Sequence, residues 1–250
     1  MRNFTGLLVL AAALATSSVQ AAENNFSWTG FYMGAHGGYG WSNDRHVETF
    51  SPPAPGGGFS AVKSSGYLGG GHAGFNWQWG MVVGGVEVDA TFPQLNGSST
   101  IQFSDPLLGD TVSSRSVSFD YFGTARSRIG IVPYQSVLLY ATGGLAWAKI
   151  TEDTVIVRSN GLFPFSSFTS TPETLFGFAV GAGAEASLGN IGLSNVLLRL
   201  EYLHYDFGKQ ANSSSTSTSF GITNALSISN GPITLDVVRA GISMKFWPGS

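Results

Sequence analysis

The sequence predicts an all-β fold, an eight-stranded antiparallel transmembrane β-barrel with short periplasmic turns and four long extracellular loops. Three observations carry this expectation. Eight segments alternate apolar and polar side chains with the two-residue period of a strand. The connections between them alternate between long and short, and the charged residues within them share one parity. Together these are the layout of a bacterial outer-membrane barrel.

Composition points the same way. Only 11% of the 250 residues are charged, 13% are aromatic and 34 are glycine. A soluble domain carries about 25% charged residues and about 7% glycine. Glycine costs a helix interior about 1 kcal/mol relative to alanine, so this chain favours strands over helices. A net charge of −3 with no basic run excludes nucleic acid as a partner. The absence of cysteine from the sequence excludes a disulfide scaffold, thiolate metal sites and a cysteine nucleophile.

Residues 1–21 read as an export signal, with Arg2 in a short basic region, an apolar stretch from Phe4 to Ala15, and Val19 and Ala21 placed for cleavage after Ala21. The barrel domain is then 22–250. Beyond the signal no apolar run approaches the roughly 20 residues of a spanning helix. The alternating segments follow in order: Gly30–Ser42, Ser65–Trp77, Met81–Phe92, Ser116–Ile131, Val137–Ile150, Thr174–Leu188, Val196–Phe207 and Leu235–Phe246. In the first, Phe31, Met33, Ala35, Tyr39 and Trp41 share one face, while Tyr32, Gly34, His36, Gly38 and Gly40 share the other. In the fourth, Val117, Phe119, Tyr121, Ala125, Ile129 and Ile131 are assigned outward, opposite Ser116, Ser118, Asp120, Thr124, Arg126 and Arg128. Long connections at Asn43–Ser64, Pro93–Arg115, Thr151–Glu173 and Gly208–Thr234 are rich in Ser, Thr, Gly, Pro and Asn and read as loops; Gln78–Gly80, Val132–Ser136 and Gly189–Asn195 read as tight turns.

The charges set the register. Glu87, Asp89, Asp120, Arg126, Arg128, Glu185, Arg199, Glu201, Arg239 and Lys245 all sit opposite the apolar parity. One Arg or Lys against mid-bilayer lipid costs roughly 2–4 kcal/mol, so the five bases alone would cost about 10–20 kcal/mol facing outward. They are therefore assigned to the lumen, with Arg126, Arg128, Arg199, Arg239 and Lys245 expected to pair with the five acids. A soluble sandwich would also alternate, but it has no need of Trp41, Trp77, Tyr121, Trp147 and Tyr202 near strand ends. Aromatic girdles at a lipid interface do.

Several motifs resemble one family. They are Trp28-Thr29-Gly30-Phe31-Tyr32 continued by Gly38-Tyr39-Gly40-Trp41, then Gly74-Phe75-Asn76-Trp77-Gln78, Gly85-Val86-Glu87-Val88-Asp89, Phe122-Gly123-Thr124-Ala125-Arg126-Ser127-Arg128, Tyr140-Ala141-Thr142-Gly143-Gly144-Leu145-Ala146-Trp147, and Glu201-Tyr202 with Tyr205-Asp206. On these the chain resembles the small eight-stranded barrels of the OmpA-like transmembrane class, more narrowly the immunogenic outer-membrane protein and porin family of alphaproteobacteria. The resemblance covers the strands and not the long loops. It implies a location in the cell outer membrane. The ending Arg239-Ala240-Gly241-Ile242-Ser243-Met244-Lys245-Phe246 is similar to the sorting signal read by the outer-membrane assembly machinery, with Arg239, Gly241, Met244 and Phe246 as its parts, although Trp247-Pro248-Gly249-Ser250 extends past the usual final Phe.

Candidate chemistry is sparse. His36 and His72 share the lumen parity, and with Glu87 they could form a metal pair or an acid–base dyad. Polar lumen filling is the favoured reading, because no third ligand or nucleophile is singled out by spacing; no cofactor, metal or catalytic residue is assigned. His46 falls in a loop and His204 near the outer interface. Leu162, Phe163, Phe165 and Phe168 crowd apolar side chains into the third loop, which makes it the candidate contact for a host molecule or haem. Folding of these aromatics back over the barrel mouth or onto the outer leaflet is at least an equal reading. Three function classes follow. The first is a non-enzymatic barrel that maintains the envelope and displays loops around a plugged lumen. A small porin is the alternative, and an outer-membrane lipid-modifying enzyme comes last.

Overall fold

The computed structural model describes residues 26–246 apart from 52–55, 106–108, 135, 160–164, 190–191, 210–212, 220–221 and 231. Residues 1–21, read above as an export signal, and the tail after Phe246 lie outside the described residues. Eleven strands are described: β1 (Gly30–Ser51), β2 (Gly56–Trp79), β3 (Val82–Pro93), β4 (Asn96–Asp105), β5 (Gly109–Tyr134), β6 (Val137–Ser159), β7 (Phe165–Leu188), β8 (Leu193–Lys209), β9 (Ser213–Ser219), β10 (Ile222–Asn230) and β11 (Pro232–Lys245). Eight of them close a ring in the order β1-β2-β3-β5-β6-β7-β8-β11, every neighbour antiparallel. Each of the eight expected segments falls in one of these strands, except that Met81 lies just before β3 and Phe246 just after β11.

Register fixes the size of the ring. Starting at Tyr32 and stepping across paired residues through Gly74, Glu87, Arg126, Gly144, Ala179, Tyr205 and Leu235, the path returns to β1 at Ser42, ten residues (42 minus 32) further on. A stagger of ten over eight strands gives a tilt of about 41° and a backbone radius of about 8 Å, from ~3.3 Å per residue and ~4.8 Å between strands. The stagger is even, so a side chain that points inward on one strand meets inward neighbours all the way round. Phe31 and Trp41 face outward ten residues apart, which at this tilt spans about 25 Å, the height of an apolar band. Between them Met33, Val86, Val88, Ile129, Leu145, Leu200 and Ile242 are exposed to the surroundings. Trp77 and Trp79 stack 5.4 Å apart at the short-turn rim, and Tyr39 meets Tyr67 edge-on at 5.5 Å at the other.

Two expectations need correction. Among the described residues the long connections are largely strand. β1 and β2 stay paired out to Phe50 and Gly56, β6 and β7 out to Arg158 and Phe165, and β4, β9 and β10 form wholly within segments read as loops. Above the wall they build two four-stranded sheets, β4-β5-β6-β7 and β2-β1-β10-β9. Serine and glycine signalled turns, but the Thr, Val, Ile and Phe interleaved with them suit a pleated surface, and a ladder already running extends at little further cost. The second correction is Asp120. The β5–β6 register slips between Phe119 and Tyr121, leaving Asp120 as the extra residue of a bulge. It is exposed, accepts a hydrogen bond from the Thr151 hydroxyl at 3.1 Å and takes no part in the lumen network. The bulge also reverses the parity above it, so Val117 and Phe119, expected outward, are buried inside.

Inside the ring the filling is layered. At the short-turn end Trp28, Val83, Val132, Leu138, Tyr140 and Leu197 form one apolar cluster. In the outer half Phe119, Phe122, Leu203, Tyr205, Phe207 and Leu235 belong to a second, larger one. The charged side chains lie between the two. The inward parity is thus mainly apolar towards both ends with the connected charges in the middle, which a reading of charges alone does not distinguish.

The barrel interior as candidate functional site

Alternation on β3, β5, β7, β8 and β11 points Glu87, Asp89, Arg126, Arg128, Glu185, Arg199, Glu201 and Arg239 at the barrel axis, all buried. Removed from water, each charge needs an opposite partner at contact. Arg126 lies 2.6 Å from Glu87, 3.1 Å from Asp89 and 3.0 Å from Glu201. Arg128 lies 2.7 Å from Glu185. Arg199 bridges Glu87 and Glu185, at 2.6 Å from each, and Arg239 lies 2.7 Å from Glu201 and 3.4 Å from Asp89. Four bases and four acids therefore share one connected layer with no net charge. The fifth expected base, Lys245, lies apart at the short-turn end. It donates to the Ser27 carbonyl and sits 4.9 Å over the Phe26 ring, with no carboxylate partner among the described residues.

Neutral groups complete the layer. Tyr32 donates to Glu87 at 2.7 Å and Tyr140 to Glu201 at 3.1 Å. Their rings enclose the Arg128 guanidinium, 4.6 Å from one centroid and 5.0 Å from the other. This requires the rings to lie flat along the wall, which Gly74 and Gly183 on the adjoining strands permit. A Cβ at either position would run into the tyrosine hydroxyl. Asn76 accepts from Arg128 at 2.8 Å, and the Thr124 hydroxyl donates to Asp89. Tyr32 was legible, since it shares the parity of His36. Arg115 and its 2.6 Å partner Glu152, above the bulge, were assigned to loops and hidden by that assignment.

The short-turn mouth is covered by Phe26–Thr29, a feature the sequence did not announce. The Trp28 amide donates to Gln78 at 2.7 Å and the Gln78 amide donates back to Thr29 at 3.0 Å. Gly30, at φ 140°, turns the chain from this cap into β1. Trp28 is 1% exposed and packs edge-on against Phe26, ring centroids 5.0 Å apart.

The remaining candidates fall elsewhere. Arg239 is in the charged layer, Gly241 pairs with His36 in the β1–β11 ladder, and Met244 and Phe246 face outward. The Phe246 amide donates to Phe31 at 2.9 Å and closes the ring at its base. Leu162 and Phe163 lie outside the described residues. Phe165 opens β7 opposite Arg158, and Phe168 is exposed across from Val155 in the upper sheet. Among the described residues no group of three His, Cys, Asp or Glu is placed to hold a metal ion.

A closed, eight-stranded antiparallel ring with an apolar exterior, two aromatic rims and a charged interior defines an outer-membrane β-barrel protein. The chain belongs to the family described as outer membrane protein beta-barrel domain, which matches residues 8–231. It is 29% identical over 234 residues to the 31 kDa outer-membrane immunogenic protein of Brucella melitensis biotype 1, covering 90% of this chain and 87% of the relative. It is 31% identical over 188 residues to a 22 kDa outer membrane protein of Rhizobium leguminosarum bv. viciae, covering 72% and 65% respectively. Among solved structures it is similar to Neisserial surface protein A, at 16% identity and a TM-score of 0.38, covering 87% of this chain and 98% of that one. The protein resides in the cell outer membrane.

Proposed function

We propose that this protein is a closed, non-enzymatic barrel that maintains the envelope and presents its long hairpins at the cell surface. The observation that carries this reading is the stacked interior. An ~8 Å backbone radius leaves room for side chains only, and here they form an apolar, a charged and a second apolar layer in series. Water and ions would have to cross all three. The name outer-membrane immunogenic protein, borne by the Brucella relatives, supports exposure of the hairpins to a host. We assign no catalysis: the lumen histidines bond to each other and to the Thr91 and Ser243 hydroxyls deep in the interior, between the two apolar clusters. Recording from single molecules in planar bilayers tests the closed interior: a flat baseline is expected, and discrete steps would establish the porin alternative instead.

Display is assigned to the upper sheets, with the tip between β6 and β7 as the contact for a host molecule or haem. Removing residues 160–170 is expected to leave the cold-gel mobility shift of a folded barrel intact while lowering antibody or haem binding to whole cells. If binding persists after each hairpin tip is removed in turn, display has lost its basis. Assembly is assigned to the end of β11, where Phe246 faces outward at the seam with β1 and is available to the assembly machinery before closure. Phe246→Ser is expected to reduce the outer-membrane yield severalfold, with unassembled chain degraded in the periplasm. A normal yield would move the signal to another strand or to the tail.

A further inference from the structure

His36 and His72 lie within the charged layer yet belong to none of its ion pairs among the described residues. Their rings stack with centroids 5.5 Å apart and their Nδ1 atoms meet at 3.3 Å. The partners of the remaining nitrogens fix the protons. His36 Nε2 faces the Thr91 hydroxyl at 2.9 Å and a guanidinium nitrogen of Arg239 at 3.4 Å. A guanidinium only donates, so this nitrogen accepts, and the ring's proton is on Nδ1. His36 Nδ1–H therefore donates to His72 Nδ1, and His72 carries its own proton on Nε2, donating to Ser243 at 2.8 Å. One arrangement of protons satisfies the pair, and it requires both rings to be neutral.

A further proton is poorly placed in that arrangement. On His36 Nε2 it reaches the Thr91 hydroxyl only with the Arg239 guanidinium alongside, and on His72 Nδ1 it faces another N–H. The surroundings nevertheless provide a second position. Asp89 lies directly opposite His72 in the β2–β3 ladder, which puts their Cβ atoms about 5 Å apart. Its Oδ1 is the one buried carboxylate oxygen without a hydrogen-bond partner among the described residues. The charged and titratable groups around the pair are Tyr32 from β1, Glu87 and Asp89 from β3, Arg126 from β5, Arg199 and Glu201 from β8, and Arg239 from β11. Three acids balance three bases there, so an added proton has its best site against the one carboxylate oxygen still unused.

We infer that His36 and His72 form an acid-operated latch in the barrel wall. While both rings are neutral the latch is shut; a proton taken from an acidified medium moves His72 from His36 and Ser243 to Asp89. Opening it removes the side-chain links from β1 to β2 and from β2 to β11 inside the charged layer while the backbone ladder of the wall stays paired, and a rise in acidity becomes a loosening of the interior.

The test uses the folded barrel in detergent micelles with 15N-labelled histidine. At neutral pH the ring shifts are expected to show His36 protonated on Nδ1 and His72 on Nε2. On acidification both rings are expected to change in one shared step. Asp89→Asn removes the acceptor of the open state and is expected to require roughly tenfold more acid or beyond for that step. Ser243→Ala removes an acceptor of the shut state and is expected to move the step the other way, so the inference stays testable if the Asp89 variant does not fold. Separate, independent titration of the two rings would overturn the latch, as would a step that neither substitution moves.

Discussion

Glu87→Ala is expected to lower the unfolding free energy of the barrel by about 3–5 kcal/mol, the cost of leaving a buried charge without its partner. Glu87 is the point where the charged layer is tied together. Its oxygens lie 2.6 Å from Arg126 and 2.6 Å from Arg199, and it also accepts from Tyr32. Truncation leaves three acids against four bases in a space with no room for bulk water. The surplus guanidinium can recover only by drawing in water or by leaving the layer, and both courses open the wall. A lower urea midpoint for the refolded protein and intermittent steps in planar bilayers are the expected readings. An unchanged midpoint together with a flat baseline would mean that the layer is not held by its charges. Glu201→Ala is the companion measurement, since Glu201 joins Arg126, Arg239 and Tyr140 and should behave alike.

Trp28→Ala is expected to cost a similar amount, about 3–5 kcal/mol, by a different route. The indole fills the short-turn mouth against Val83, Val132, Leu138 and Leu197, with Phe26 packed on its edge. Its backbone bond to Gln78 survives the substitution, so the loss reads out packing alone. Conductance separates the two variants. With Trp28 gone the charged layer and the outer cluster still close the lumen, and the baseline is expected to stay flat while the urea midpoint falls. Steps from Trp28→Ala alone would show that the mouth cap, rather than the layers above it, is the seal.

What was legible in the sequence was whatever obeys a strict two-residue period. The number and order of the wall strands and the inward direction of Glu87, Arg126, Arg199 and Glu201 all follow from alternation plus the cost of charge in lipid. Features that break the period were lost. A single bulge residue turned Asp120 outward and carried Val117 and Phe119 inward, and nothing in the local composition marks where a ladder will slip. The apolar ends of the lumen were lost for another reason. Leu203, Tyr205 and Phe207 sit on the inward parity beside Glu201, and only axial height, which depends on tilt and stagger, sorts them into separate layers. The hairpins above the rim were misread because Ser, Thr and Gly serve turns and exposed strands equally well. Trp28 was hidden by position: it precedes the first alternating segment, and a residue outside the period carries no direction.

The β1–β11 seam has a consequence for how the molecule comes into being. β11 pairs with β8, 23 to 48 residues away, and with β1, 193 to 213 residues away. The first strand to leave the ribosome thus waits for the last. Until Tyr32 meets Lys245, the sheet has two raw margins whose amides and carbonyls cannot be left bare in hydrocarbon. A partly inserted wall has no stable resting point in the bilayer, so entry into the membrane and completion of the circle must be one event.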